Sequence, residues 1–246
     1  MDKALFVGMS AATQNMLAQA INANNLANAS TTGFRADLAQ ARELMVVGDG
    51  FDSRAYTMTE MPASDFAQGP LRQTGNDMDI AVEGDGWIAV LAPDGTEAFT
   101  RAGELSLSPF GELLTSGGLP VLGNAGPIAL PPHEKLEIGN DGTLAVRELG
   151  QGPNVLSTLD RIRLVNPDVQ DLVKGVDGLF RRRDGAVEAA DANVRIAAGY
   201  LEGSNVNVVD AMVEMIALTR NYELNIQLMQ TAQRNSEASA SLLNLQ

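Results

Sequence analysis

The sequence predicts an α+β chain in which N- and C-terminal helices pair as a coiled-coil layer around a central antiparallel β-rich domain. Three observations carry this. Residues 3–29 hold no Pro and one Gly, and their apolar residues repeat at helical spacing. Residues 205–243 do the same without any Gly or Pro. Between them, residues about 45–203 hold all 10 Pro and 22 of the 24 Gly. That composition belongs to short strands and tight turns.

In the first helix, Leu5, Met9, Ala12, Met16, Ala23 and Leu26 form a heptad-like seam interrupted at Gln19. Small residues in the seam suit close helix packing. The pattern stops at Ala29-Ser30-Thr31-Thr32-Gly33, where Gly33 is expected to hold a positive φ.

The last block has the strongest periodicity. Val208, Met212, Met215, Thr219, Tyr222, Ile226, Met229 and Gln233 alternate spacings of four and three. Val209, Val213 and Ile216 widen the stripe over its first half. Ser204 or Asn205 is the expected N-cap, and Asp210 suits the positive end of the helix dipole.

The middle block reads as strands at Met78–Val82, Trp87–Leu91, Glu97–Arg101, Leu105–Leu107, Leu119–Leu122, Lys135–Ile138, Leu144–Arg147 and Arg161–Val165. Gly84-Asp85-Gly86, Pro93-Asp94-Gly95, Gly117-Gly118, Asp141-Gly142 and Asp184-Gly185 punctuate them. The expected division is 1–35 with 204–246 as a helical assembly domain, 36–75 as an irregular extension, and 76–203 as the β domain. An amphipathic helix must bury its stripe, so the terminal helices are expected to pair with each other or with copies in neighbouring subunits.

Composition excludes several function classes. Seventeen basic against 31 acidic residues give a net charge of −14 and a pI near 4.4, which opposes nucleic-acid and anionic-membrane binding. Only 4% of residues are aromatic, one of them Trp, too few for a base-stacking or sugar-stacking groove. There is no Cys and one His, so thiolate sites and paired-imidazole sites are out. No apolar run is long enough to span a bilayer, and no secretory signal opens the chain.

Chemical motifs fare no better. Asn76-Asp77-Met78-Asp79 opens like a calcium loop, but Val82 and Ile88 stand where Gly and a bidentate Glu are needed. Gly84-Asp85-Gly86-Trp87-Ile88-Ala89 fits a dinucleotide string, yet a strand, not a helix, should follow it. His133 sits in a stiff Pro131-Pro132-His133-Glu134 turn, with no nucleophile elbow in the chain. Arg181-Arg182-Arg183 reads as a solvated strand beside Asp184 and Glu188. No enzyme, cofactor or metal site is expected.

Two long signatures remain. Ala23-Asn24-Asn25-Leu26-Ala27-Asn28 with Ser30-Thr31-Thr32-Gly33-Phe34-Arg35, and Leu201-Glu202-Gly203-Ser204-Asn205-Val206-Asn207-Val208-Val209-Asp210-Ala211-Met212 continuing to Asn225, resemble those of bacterial flagellar axial proteins. Gly86–Val90, Phe99–Gly103, Gly111–Leu113 and Gly118–Gly123 are similar to the β domain of rod and hook members. The length is short for a hook protein, and the start Met1–Met9 resembles proximal rather than distal rod members. Asp37–Leu44 departs from the acidic-aromatic segment usual in distal ones.

The resemblance implies a structural subunit of the flagellar basal-body rod, polymerising to transmit torque from motor to hook. It implies as partners other proximal and distal rod proteins, copies of itself, and the flagellar type III export apparatus. It also implies a periplasmic destination reached without a cleaved signal. The alternatives are a distal rod member, or a self-contained β-domain ligand-binding module. The expected assembly interface comprises Leu5, Met9, Met16, Asn24, Asn25, Leu26, Asn28, Gly33, Phe34, Asn205, Val206, Met212, Met215, Ile216, Arg220, Tyr222, Ile226 and Met229. Met212 and Ile216 are its expected anchors. Asn22, Asn24, Asn25 and Asn28 form either an exposed polar face or interchain hydrogen bonds that set register.

Overall fold

A computed structural model describes residues 2–45, 55–60, 64–148, 150 and 156–243. Residues 46–54 and 61–63 of the expected extension, and 244–246 of the expected helical domain, lie outside the described residues. The chain forms two compact units. One comprises 1–29, 36–65 and 206–246; the other comprises 30–35 and 66–205.

The first unit opens with α1 (Asp2–Ala27), continues with β1 (Gln40–Met45) and β2 (Ala55–Glu60), and is completed by the chain's last helix. β1 and β2 pair antiparallel from Gln40↔Glu60 to Met45↔Ala55. The stretch 36–75 was expected to be irregular, so this hairpin is a correction. β1, Gln-Ala-Arg-Glu-Leu-Met, lacks the alternation that marks a strand from sequence, and the alternation of Tyr56 and Met58 with Thr57 and Thr59 in β2 is short.

The second unit runs through β3 (Leu71–Gln73), β4 (Ile80–Glu83), β5 (Trp87–Leu91), β6 (Glu97–Thr100), β7 (Leu105–Leu107) and β8 (Leu113–Thr115). It continues with β9 (His133–Ile138), β10 (Thr143–Glu148), β11 (Ser157–Arg161), β12 (Leu164–Val165), β13 (Leu172–Lys174), β14 (Phe180–Arg182), β15 (Arg195–Ala198) and β16 (Tyr200–Glu202). α2 (Val208–Leu243) then returns to the first unit.

All pairings among the described residues are antiparallel. The largest sheet has the order β12-β5-β6-β14-β13, beside β11-β10-β9 and the pairs β15-β4, β16-β3 and β7-β8. β5 explains why Trp87-Ile88-Ala89-Val90-Leu91 is apolar throughout. Ile88 and Val90 enter one core with Ile80, Leu113, Leu144 and Ile162, while Trp87 and Ala89 enter a second with Phe99, Val165 and Phe180. A strand covered on both faces cannot alternate polar with apolar. Leu119–Leu122, expected as a strand, makes only single bridges, at Pro120, Val121 and Leu122.

Turn chemistry behaves as the residues dictate. In the Asn76–Asp79 turn, the Asn76 side chain accepts from the Met78 N–H at 3.3 Å and donates to Asp79 Oδ1 at 3.0 Å, an Asx turn leading into β4. His133 begins β9 rather than lying wholly in a turn, with Nδ1 2.8 Å from the Pro131 carbonyl.

Two of the three consecutive arginines form surface ion pairs. Arg181 bonds Asp177, and Arg182 forks onto Asp184 and also bonds Glu188. The Arg182 hydrogen bonds hold the Asp184 carboxyl down at about 2. The sign follows: with a folded value below the ordinary 3.8, the pair's contribution is complete above that value and is lost as pH falls through about 2. An NMR titration should place the Asp184 midpoint near pH 2 in the native chain, and Arg182→Ala should return it toward the ordinary carboxylate range.

Candidate assembly interface

α1 and α2 lie antiparallel within the chain. Their buried seam is thin. Gly8, Ala12 and Asn22 from α1 and Ala211 from α2 are covered, with Met215, Leu218, Tyr222, Asn225, Met229 and Ala232 half-buried in sequence along α2. A Cβ on Gly8 would lie 2.8 Å from Met229 Cγ, so the helices meet closely there. Gln19 Nε2 donates to Thr219 Oγ1 at 3.2 Å, and buried Asn22 donates to the Ala211 carbonyl at 2.8 Å.

This corrects the expected seams. In α1 the seam turns on Gly8, Ala12, Asn15, Gln19 and Asn22, not on Leu5, Met9, Met16 and Ala23, which are exposed. In α2 it runs through 211, 215, 218, 222, 225 and 229, so Met215, Tyr222 and Met229 belong to it, while Met212 and Ile216 do not. The reason is physical. Sequence periodicity finds the most apolar stripe, but here α1 pairs through small and amide residues that allow close approach to Met215, Leu218, Tyr222 and Met229 of α2. The most apolar stripe of α1 is left outside, as are Val209, Met212, Val213 and Ile216 of α2.

On α1, exposed Leu5, Phe6, Met9, Met16 and Leu17 share one face, with exposed Thr13 between Met9 and Met16. On α2, Val209, Met212, Val213 and Ile216 stand at i, i+3, i+4 and i+7. Met9 is 50% exposed, Met212 51% and Ile216 55%.

The remaining expected residues divide. Leu26 and Ile226 are half-buried and Arg220 is exposed. Asn24 is exposed, and its carbonyl accepts from Asn28 Nδ2 at 3.0 Å. The Asn25 amide brackets the Asp37 backbone, donating to its carbonyl and accepting from its N–H, both at 2.8 Å. Asn22 and Asn25 therefore spend hydrogen bonds within the chain. The N-cap of α2 is neither Ser204 nor Asn205 but Asn207, whose Oδ1 accepts from the Val209 N–H at 3.0 Å and the Asp210 N–H at 3.4 Å. Asn22→Ala should lower stability of the helical pair by about 1–2 kcal/mol, read as an earlier loss of ellipticity at 222 nm.

Gly33, Phe34, Asn205 and Val206 stand at the segments that join the helices to the strands. Gly33 holds φ 68°, as expected, and donates its N–H to the Glu202 carbonyl at 2.8 Å. Phe34 is covered by the Lys174 ammonium 4.1 Å from its ring centroid. Asn205 Nδ2 donates to the Ala67 carbonyl at 3.0 Å, and its N–H donates to the Phe34 carbonyl at 3.3 Å.

Beside them lies a cluster that sequence reasoning missed. Fully buried Glu202 accepts from Arg35 Nη2 at 2.6 Å, from Arg101 Nη1 at 3.0 Å and from the Gly69 N–H at 3.0 Å. Both guanidinium groups lie over Trp87, at 5.9 and 5.2 Å from the ring centroid. Burial draws the Arg101 pKa below its ordinary value; Glu202 opposes that shift and Arg35 adds to it. All three charged residues stood in the recurring motifs, but nothing in their spacing shows that they meet.

Known proteins match along the whole chain. Residues 5–35 match the family described as Flagella basal body rod protein, 81–146 the Flagellar hook protein FlgE/F/G D1 domain, and 197–242 the Flagellar basal body rod FlgEFG protein C-terminal. Flagellar basal-body rod protein FlgF of Salmonella typhimurium is 39% identical over 100% of both chains, and that of Escherichia coli K12 is 38% identical over the same extent. Flagellar basal-body rod protein FlgG of Borreliella burgdorferi is 31% identical, with 90% of this chain and 92% of the relative covered. The chain belongs to the flagellar basal-body rod proteins as a FlgF-like structural subunit of the rod.

Proposed function

We propose that the chain builds the drive shaft by burying the outer apolar stripes of its helical pair against neighbouring subunits. The carrying observation is the division of side chains. The helices pair through Gly8, Ala12, Asn22 and Ala211, while Leu5, Met9 and Met16 of α1 and Met212 and Ile216 of α2 remain outside. Clustered exposed apolar side chains rimmed by polar ones mark interaction surfaces. Their occupants are copies of this chain and other rod proteins, proximal and distal.

The work is mechanical rather than catalytic: helices packed side by side supply stiffness along the shaft, and the β unit supplies lateral contact. The chain reaches the periplasmic rod through the flagellar type III apparatus without a cleaved signal. No helix among the described residues is long and apolar enough to cross a membrane, in keeping with passage through the membrane system rather than residence in it.

Complementation tests this. In a strain lacking the chain's counterpart, the native sequence should restore swimming and co-purify with basal bodies. Met9→Ser with Met16→Ser should be exported yet absent from basal bodies. Recovery of the double variant in basal bodies at native amounts would remove the α1 stripe from the interface.

A further inference from the structure

Two buried cations share one carboxylate at the Arg35–Glu202–Arg101 cluster, and the chain supplies them in a telling order. Arg35 and Arg101 precede Glu202 by 167 and 101 residues. The side chains of Arg35, Arg101 and Glu202 are 0, 4 and 1% exposed. Two guanidinium groups on one buried carboxylate leave an excess positive charge, which the Trp87 ring face, the Gly84 carbonyl 2.8 Å from Arg101 Nη2 and the nearby exposed Asp85 soften. Arg35 Nε and Nη1 and Arg101 Nε have no hydrogen-bond partner among the described residues.

We propose that Glu202 is a closure switch: segments 30–35, 69–73 and 200–203 of the β unit cannot seal over Trp87 until β16 delivers this carboxylate. Without it, two guanidinium groups would be buried side by side with like charge, an arrangement far costlier than an exposed open state.

Glu202 is suited to the task because it binds by backbone and side chain together. Its carbonyl takes the Gly33 N–H, its carboxylate takes the Gly69 N–H, and β16 pairs with β3 at Glu202↔Leu71. Gly203 then donates to the Pro70 carbonyl at 2.9 Å. One residue therefore fastens the approach to the β unit from α1, the start of β3, and the departure toward α2. A chain emerging N-terminus first holds this unit open until its final strand appears.

Hydrogen exchange on the full chain tests the switch, with fluorescence of the single Trp as a second reading. In Glu202→Gln, protection of the Gly33, Gly69 and Gly203 N–H groups should fall about 100- to 1000-fold, and Trp87 emission should shift to the red. Ala89 and Leu91, bonded within the core, should keep their protection. Adding Arg35→Met removes the like-charge pair, so the double variant should regain at least about tenfold of the lost protection.

If Glu202→Gln unfolds the whole unit, the added Arg35→Met should refold it. Protection in Glu202→Gln within about threefold of native, or a double variant weaker than the single one, would overturn the proposal.

Discussion

Gly33→Val is expected to abolish rod formation and to destabilise the β unit by about 4 kcal/mol or more. Two effects add. Gly33 holds φ 68°, where a β-branched residue is strained in any surroundings. A Cβ there would also lie 2.3 Å from the Arg101 carbonyl carbon and 2.4 Å from the Ala102 nitrogen. Both are backbone atoms, so no side chain can swing aside. The Gly33 N–H would leave the Glu202 carbonyl, and the ion cluster beside it would open. Urea unfolding followed by Trp87 fluorescence checks this; a midpoint unchanged in Gly33→Val would refute it.

Met212→Ala combined with Ile216→Ala should separate assembly from folding. Both side chains are about half exposed in the single chain, so the pair should change its melting by little more than about 0.5 kcal/mol per site. Buried in the assembled shaft, each truncation should cost about 2–5 kcal/mol. The expected result is a normally folded, exported chain whose bearer does not swim. A lowered melting temperature in the purified chain would place these residues in its own core instead.

Much of the fold was legible because its signals are local. Trp87–Leu91 and Leu105–Leu107 are strands with the bounds their residues suggest, since turn glycines and apolar runs both mark them. The two terminal helices followed from periodicity and the absence of Pro. The β1–β2 hairpin was hidden because strands such as Gln40-Ala41-Arg42-Glu43 carry no alternating apolar pattern.

The helix faces were half legible. Periodicity singled out Leu5 and Met9 on α1 and Met212 and Ile216 on α2, and these side chains are exposed apolar ones on each helix. Of the expected α1 seam only Ala12 is fully buried, and periodicity could not tell that the chain's own pairing would use it with Gly8 and Asn22. Closeness of approach, which favours small residues, competes with apolar area, and only geometry decides between them. The Glu202 cluster was not legible at all. Its members are far apart in sequence, and buried charge leaves no local pattern.

The chain's lack of Cys gives the most direct test of the central claim. Met212→Cys and Met9→Cys, made singly, place one thiol on each outer stripe. In the purified chain both should react rapidly with a maleimide. In intact basal bodies both should be protected, while a thiol at Val176, fully exposed on the β unit, reports probe access. Equal labelling of the stripe thiols before and after assembly would contradict the account.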